Sequence, residues 1–158
     1  MYPQARGWAP DAQPLQIRSV NLAQVKADQG KSGAWQVVFV SPSLGKAKTY
    51  TYSAVEAGGS LHEGVFGGIE ESYTPRGDAS PFQIAAIKVD SDEAYNTAAE
   101  KSADYIKKNP DKPVVFLMEL GKRFPDVTWR VIWGDSVGTS DYSVFVDGTT
   151  GKYLEKMH

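Results

Sequence analysis

The sequence predicts an α+β protein built from two similar antiparallel β-meander units, with a helix packed before the second meander. Three observations support this: a helical repeat that begins near residue 91, three strand patterns after it, and an earlier copy of those strand patterns. A chain of 158 residues can hold two small units that share a core. We expect the first unit at residues 1–66, a linker and lead-in strand at 67–89, and the second unit at 90–158.

The helix is predicted over residues 91–108. Asp90 can accept hydrogen bonds from the free amide groups of a helix start, and the acidic residues after it complement the helix dipole. Apolar and small side chains then recur three and four positions apart, which indicates one buried face. They are Tyr95, Ala98, Ser102, Tyr105 and Ile106. Pro110 ends the helix, since proline disfavours helical geometry in the residue before it.

Three strands are predicted after the helix, at residues 114–120, 128–133 and 142–147, because each segment is rich in β-branched or aromatic residues and bounded by turn residues. Residues 152–156 can return as a short edge strand. In the middle strand Trp129, Val131 and Trp133 share one face. We expect the helix to pack on that face.

An internal repeat extends this pattern to the first half of the chain. Residues 34–39 align with 128–133 without a gap, and residues 50–61 match 142–153. The first strand of the earlier copy should lie within residues 15–27. Only residues 5–12, interrupted by Gly7 and Pro10, can supply its helix, so we expect that helix to be truncated. Residues 67–81 are rich in glycine, proline and serine and predict the linker, and 82–89 the lead-in strand.

The second unit resembles PepSY-type domains through its W-x-V core strand and its ending V-D-x-x-T-G-x-x-L at residues 146–154. The resemblance covers residues 94–154 and, in part, 15–61, where V-E-A-G-G replaces the acidic turn. It implies a cystatin-like helix and sheet in an extracytoplasmic bacterial protein that is periplasmic, secreted or lipid-anchored. Some members of that family inhibit or chaperone peptidases. Asp147 and Gly151 match turn positions of the motif, so the resemblance implies no catalytic residue.

Composition narrows the classes of partner. Apolar residues make up 41% of the chain and charged residues 23%, with 17 basic and 19 acidic side chains and a formal charge of −2. This balance gives no electrostatic basis for binding nucleic acid or an anionic membrane. No apolar stretch reaches the roughly 18 residues of a transmembrane helix. Residues 1–20 have no basic start followed by an apolar core and so lack a signal-peptide pattern, and we expect a signal or anchor region upstream of them.

Candidate catalytic and metal-binding residues all have a structural interpretation. His62 and His158 lack partners at ligand spacing, and the chain has no cysteine, so no metal or cofactor is predicted. Acidic residues at 90, 92 and 93 suit helix capping, and those at 70 and 71 suit a solvated linker. The glycines at 58, 59, 67 and 68 form no phosphate-binding motif and indicate turns. We therefore expect no enzymatic activity.

The aromatic residues could line a ligand groove, but rings on one face of a strand more often form a core. They are Trp35, Phe39, Tyr50, Tyr52, Trp129 and Trp133. The Q-x-V-x-G loop with which cystatins inhibit thiol proteases is not reproduced at residues 36–40.

The sequence favours a non-enzymatic extracytoplasmic binding or regulatory module that acts on a protein or peptide. The alternative is a small-molecule-binding or enzymatic cystatin-like domain with a cavity between helix and sheet. The strand faces opposite the rings stay apolar, which predicts that a partner surface or packing between the two units covers them. The residues concerned are Val38, Val40, Val115, Leu117, Ile132 and Phe145. Of the two, packing between the units is favoured, and a homodimer is allowed.

Overall fold

Eight strands form one antiparallel sheet in the computed structural model, which describes residues 1–59 and 61–158. The prediction of an α+β fold with antiparallel strands is confirmed. The strands are β1 (Gln13–Val20), β2 (Ala34–Ser41), β3 (Lys46–Ser53), β4 (Gly64–Ser72), β5 (Val114–Glu119), β6 (Thr128–Trp133), β7 (Tyr142–Asp147) and β8 (Tyr153–Met157). The helices are α1 (Tyr2–Trp8), α2 (Ser91–Glu100) and α3 (Ala103–Lys108).

The order of strands across the sheet is β4-β3-β2-β1-β5-β6-β7-β8. Strands β1 to β4 are therefore neighbours in chain order, and so are β5 to β8. The two sets meet where β1 pairs with β5, through the register pairs Gln16 with Glu119, Ile17 with Met118 and Arg18 with Leu117. The two sets thus lie side by side in one sheet. They do not pack face to face, which corrects the expectation that the apolar faces of the two units cover each other.

One face of the sheet carries the helices and the two buried apolar clusters; we call it the helix face. Trp129, which lies on it, is buried, and its Nε1–H donates to the Val89 carbonyl at 2.8 Å. Trp129 belongs to a row of register partners that crosses neighbouring strands of the sheet. The row is Tyr50, Val37, Ile17, Met118, Trp129 and Val146. Ala94 and Ala98 of α2 are fully buried in the same cluster. The prediction that the helix packs on the Trp129 and Trp133 face is confirmed.

The predicted helix at residues 91–108 is interrupted between Glu100 and Ala103. Ser102 is buried there, and its hydroxyl shares a hydrogen bond of 2.8 Å with the Tyr142 hydroxyl. The break lets α3 turn its Tyr105 ring onto Tyr142, with ring centroids 4.0 Å apart. Ser102 stands at a position where the helical repeat places a buried side chain, and the repeat does not distinguish this serine from the apolar residues around it.

Helix α1 covers the first half of the helix face. It begins at Tyr2, earlier than the predicted residues 5–12, and Pro3 suits its first turn because an amide is not needed there. Ala5 and Ala9 are fully buried against the sheet, and Tyr2 stacks on Phe39 with centroids 6.3 Å apart. With seven residues the helix is short, as expected for a truncated element, yet it buries Phe39.

The stretch assigned to the linker from residue 67 begins inside β4, which runs from Gly64 to Ser72. Its glycines serve packing across the sheet: a Cβ on Gly67 would lie 3.0 Å from the Tyr50 ring. In place of a lead-in strand, residues 82–89 contain a short 3-10 helix at Ile84–Ala86. This segment is held by two amides, those of Lys88 and Val89, which both donate to the Gly148 carbonyl.

Candidate functional site

The face opposite the helices, which we call the open face, has a different composition. Gln36, Arg18 and Leu117 are neighbours in its central row, which also carries Phe66 at one end and Phe145 next to the other end. Across the whole sheet the row reads Phe66, Thr51, Gln36, Arg18, Leu117, Arg130, Phe145 and Glu155. No helix among the described residues lies over this face, since the buried helical residues pack in the clusters of the helix face. The open face is thus the solvent side of the sheet, with mixed polar and apolar chemistry.

The six residues predicted as a partner surface all lie on this side, but most of them are covered by the chain itself. Val40 is 0% exposed, Ile132 1%, Val115 8% and Phe145 9%. Val38 and Leu117 are half-buried. Only these last two therefore present appreciable area to a partner.

Side chains from a loop and a neighbouring strand cover Phe145. The Phe124 ring lies 5.3 Å from the Phe145 ring, centroid to centroid. The guanidinium carbons of Arg123 and Arg130 lie 5.0 and 5.1 Å from the Phe145 centroid. Cations over an aromatic face are attracted to its negative quadrupole, so two arginines can shield the ring while their charged ends stay hydrated. The apolar residue on this face is accommodated without a partner.

A cleft of about 580 Å³ opens on this face where β1 and β5 separate. It brings together three of the six predicted residues, Val115, Leu117 and Ile132. Strand β1 supplies one wall, and residues 135–138, between β6 and β7, supply another. The remaining lining residues are Gln16, Arg18, Ser19, Val20, Asn21, Phe116, Asp135, Ser136, Val137 and Gly138. Its size is that of sites that hold small molecules or a few residues of a peptide.

Polar side chains around the cleft are ordered by hydrogen bonds along the row. Arg18 Nε donates to Gln36 Oε1 at 2.6 Å, and Gln16 Nε2 donates to Glu119 Oε1 at 2.7 Å. Arg130 Nε donates to Ser143 Oγ at 3.0 Å. Burial lowers the pKa of Arg130, and the nearby Arg123 charge lowers it further, while Glu119 opposes both effects. Arg18 is exposed, and its terminal nitrogens have no hydrogen-bond partner among the described residues.

The residues weighed for acid–base or metal chemistry lie apart from this cleft. His62 Nδ1 is 2.6 Å from Glu56 Oε1 in the loop before β4, and the His158 ring lies 4.9 Å from the Tyr142 ring. Asp90 caps α2 by accepting from the Ser91 amide, as predicted. Glu70 accepts from Trp8 Nε1 at 2.6 Å. In residues 1–59 and 61–158 no three ligand-type side chains come together as a metal site.

The sequence interpretation did not predict the cleft. Arg18 and Ser19 lie in β1, and the strand propensity of residues 13–20 does not show where β1 parts from β5. The signal that could have found the cleft is Ser19, a serine at a position where β1 turns toward the apolar core, opposite Trp35 in the register of β1 and β2.

Comparisons with family models, with curated proteins and with solved structures found no match. The resemblance to PepSY-type domains therefore remains a prediction from the sequence motif. None of the helices in the described part of the chain is long and apolar enough to cross a membrane.

Proposed function

We propose that this chain is a non-enzymatic binding or regulatory module, composed of two PepSY-like units, that acts outside the cytoplasm on a protein or peptide. The observation that carries the proposal is the asymmetry of the sheet. One face is closed by the helices, whereas the other presents Arg18, Gln36 and Leu117 beside an open cleft. Protein interfaces are about as polar as the rest of a protein surface, so this mixed chemistry is compatible with recognition of another protein.

The two-unit interpretation draws support from the order of elements. A helix is followed by four consecutive antiparallel strands in residues 2–72, and the same order returns in residues 91–157. The aligned segments 34–39 and 128–133 both fall in the second strand of their set. A duplicated unit whose copies pair edge to edge would give this arrangement.

Packing between helix and sheet supports a binding module over the alternative of a cavity between those layers. Trp129 and Trp133 fill the space under α2, and the small side chains of Ala94 and Ala98 let the helix lie close to them. In the described residues no buried side-chain nitrogen or oxygen lacks a hydrogen-bond partner. Sites for small ligands usually combine an open cavity with convergent polar groups. A cleft of about 770 Å³ touches Tyr95 of α2 and Val114 and Phe116 of β5, but it lies at the border of the helix layer and is lined mostly by loop residues within 21–30 and 110–113.

Site-specific photo-crosslinking in cells of the source organism tests the proposal. A benzophenone amino acid at position 36 probes the open face, and the same residue at position 96, on the exposed surface of α2, is the control. We expect an adduct in the extracytoplasmic fraction from position 36 alone. The combined change Arg18→Glu and Arg130→Glu should abolish the adduct, whereas the matched change Lys107→Glu and Lys108→Glu on α3 should leave it.

A cytoplasmic location, or equal adducts from both positions, would contradict the proposal. If the captured protein is a peptidase, its rate of peptide hydrolysis with and without the purified module distinguishes inhibition from passive binding.

A further inference from the structure

Met157, the last residue of β8, differs from the other methionines in its exposure. It is 36% exposed, whereas Met118 is 0% exposed and Met1 is half-buried against the cluster beneath α1. A thioether that faces solvent can be oxidised to a sulfoxide, which is polar and chiral. The groups around the Met157 sulfur therefore decide what such an oxidation does to the fold.

Two guanidinium groups converge on this sulfur. Arg123 Nη1 and Arg130 Nη2 each lie 3.6 Å from Met157 Sδ and donate to it. Their other hydrogen bonds go elsewhere: Arg123 Nη2 donates to Glu155 Oε2 at 2.6 Å, and Arg130 Nε donates to Ser143 Oγ at 3.0 Å. A thioether sulfur is only a weak acceptor. Two strong donors thus share one weak acceptor.

Contacts that do not involve the sulfur hold both arginines in place. The two guanidinium groups lie over the same Phe145 ring, 5.0 and 5.1 Å from its centroid. Ser143, which accepts from Arg130, is the register partner of Met157 in the pairing of β7 with β8. The donors are therefore already oriented toward the sulfur, and a stronger acceptor placed there gains hydrogen bonds without a rearrangement of the arginines.

The balance of charge at this place favours a neutral acceptor over an anion. Glu155 pairs with Arg123, and the charge of Glu119 acts on Arg130, so two carboxylates offset the two guanidinium groups. A sulfoxide is neutral overall and concentrates negative charge on its oxygen. Because that oxygen is bonded to the sulfur, it can lie nearer to both arginine nitrogens than the sulfur does, within the roughly 2.7–3.2 Å of an N–H···O hydrogen bond.

We propose that Met157 is a site of reversible oxidation by peroxide, and that its sulfoxide oxygen accepts hydrogen bonds from Arg123 and Arg130. A lone pair of the sulfur attacks one peroxide oxygen, and the O–O bond breaks as the S–O bond forms. The second oxygen leaves as hydroxide and takes the proton of the transferred oxygen, which gives water. The sulfur loses two electrons and the peroxide gains them.

Oxidation at this position strengthens the edge of the sheet. The new hydrogen bonds join the end of β8, an outer strand, to Arg130 of β6, and hydrogen bonds from charged donors are stronger than those to sulfur. Methionine sulfoxide reductases restore the thioether and so reverse the effect. The proposal is independent of the binding function proposed above.

Treatment of the full chain with hydrogen peroxide, followed by mass spectrometry of its peptides, tests the site. We expect one added oxygen on Met157 well before Met118 reacts. In urea unfolding the oxidised protein should have a higher midpoint, with a folding equilibrium constant raised about three- to tenfold, and a sulfoxide reductase should return the midpoint to its starting value. Met157→Leu, treated in the same way, should show no rise, which separates Met157 from Met1.

Variants of the arginines test the hydrogen bonds. Arg123→Gln and Arg130→Gln should each remove most of the gain on oxidation. Comparison of the oxidised and reduced forms of one variant cancels that variant's own effect on stability. Arg123 is exposed in a loop, so its variant keeps the test available if Arg130→Gln does not fold. Lys107→Gln on α3 is the matched control and should keep the full gain.

Several results would overturn the proposal. Oxidation of Met118 as fast as that of Met157 would show that the exposed sulfur is not a selective site. An unchanged or lower midpoint after oxidation of Met157 would show that the arginines do not hold the sulfoxide. A full gain that persists in both arginine variants, or that appears in Met157→Leu, would assign the effect to another part of the chain.

Discussion

Trp129 offers a test of how much one buried hydrogen bond contributes to the junction of the sheet and its helices. Its ring lies edge-on to Trp35 and Phe116, with centroids 6.1 and 6.2 Å away, and its Nε1–H donates to the Val89 carbonyl. Trp129→Ala removes the ring, and large-to-small changes of this kind cost about 3–5 kcal/mol. Trp129→Phe keeps an aromatic ring but leaves the Val89 carbonyl without its donor, at a cost of about 1–3 kcal/mol.

The matched control is Trp8→Phe. The Trp8 indole also donates a hydrogen bond, to Glu70, but at the surface, where water replaces a lost partner. We expect it to cost less than about 1 kcal/mol. Urea unfolding followed by circular dichroism measures all three variants, and an unchanged m-value shows that the midpoints report stability. If Trp129→Phe is no more destabilising than Trp8→Phe, the buried bond is not a source of stability and the reasoning fails.

Two further predictions concern a glycine contact and an acid. In urea melts, Gly30→Ala should destabilise the protein far more than Gly45→Ala. Both glycines have positive φ, and this backbone strain costs an alanine about 1–2 kcal/mol at either position, but only at Gly30 would the added Cβ meet backbone, 2.5 Å from the Asp92 Cα. Equal losses of stability would refute this prediction. Hydrogen bonds from the Ser41 hydroxyl and the Ser43 amide lower the pKa of Asp11 below 3.8. A carboxylate whose pKa is lower in the folded than in the unfolded state stabilises the fold at pH values above its unfolded-state pKa. This stabilisation is lost as the pH falls through the folded-state pKa. Asp11→Asn should therefore lose less stability than wild type between about pH 6 and about pH 3, and identical losses would contradict the assignment.

The strands of the second half could be predicted closely because their signals are local. Residues 128–133 and 142–147 are bounded by turn residues and rich in β-branched and aromatic side chains, and they form β6 and β7 with the same limits. The face of β6 that receives the helix followed from simple alternation. These properties depend on each segment's own residues, so the sequence was sufficient for them.

Other features depend on contacts between distant residues. Gly67 and Gly68 predict turns, and hence a linker across most of β4, whereas in the structure Gly67 provides space for the Tyr50 ring. The break after Glu100 depends on a hydroxyl contact between Ser102 and Tyr142, 40 residues apart. The cleft depends on where β1 leaves β5, which no local pattern encodes. The sequence pattern identifies the apolar residues opposite the rings, but it does not show that Arg123 and Arg130 cover Phe145.

The pairing of β1 with β5 also bears on how the chain is made. Gln16 and Glu119, which pair there, are 103 positions apart. At synthesis rates of about 5–20 residues per second, β1 therefore waits roughly 5–20 s before its partner strand exists. During that interval β1 is an outer strand of the growing sheet, and unpaired outer strands promote aggregation. Arg18, on the solvent side of β1, places a charge on this temporary edge, and charged side chains are a common protection of such edges. The same arginine that faces the cleft in the finished protein is thus positioned to keep the half-made chain soluble.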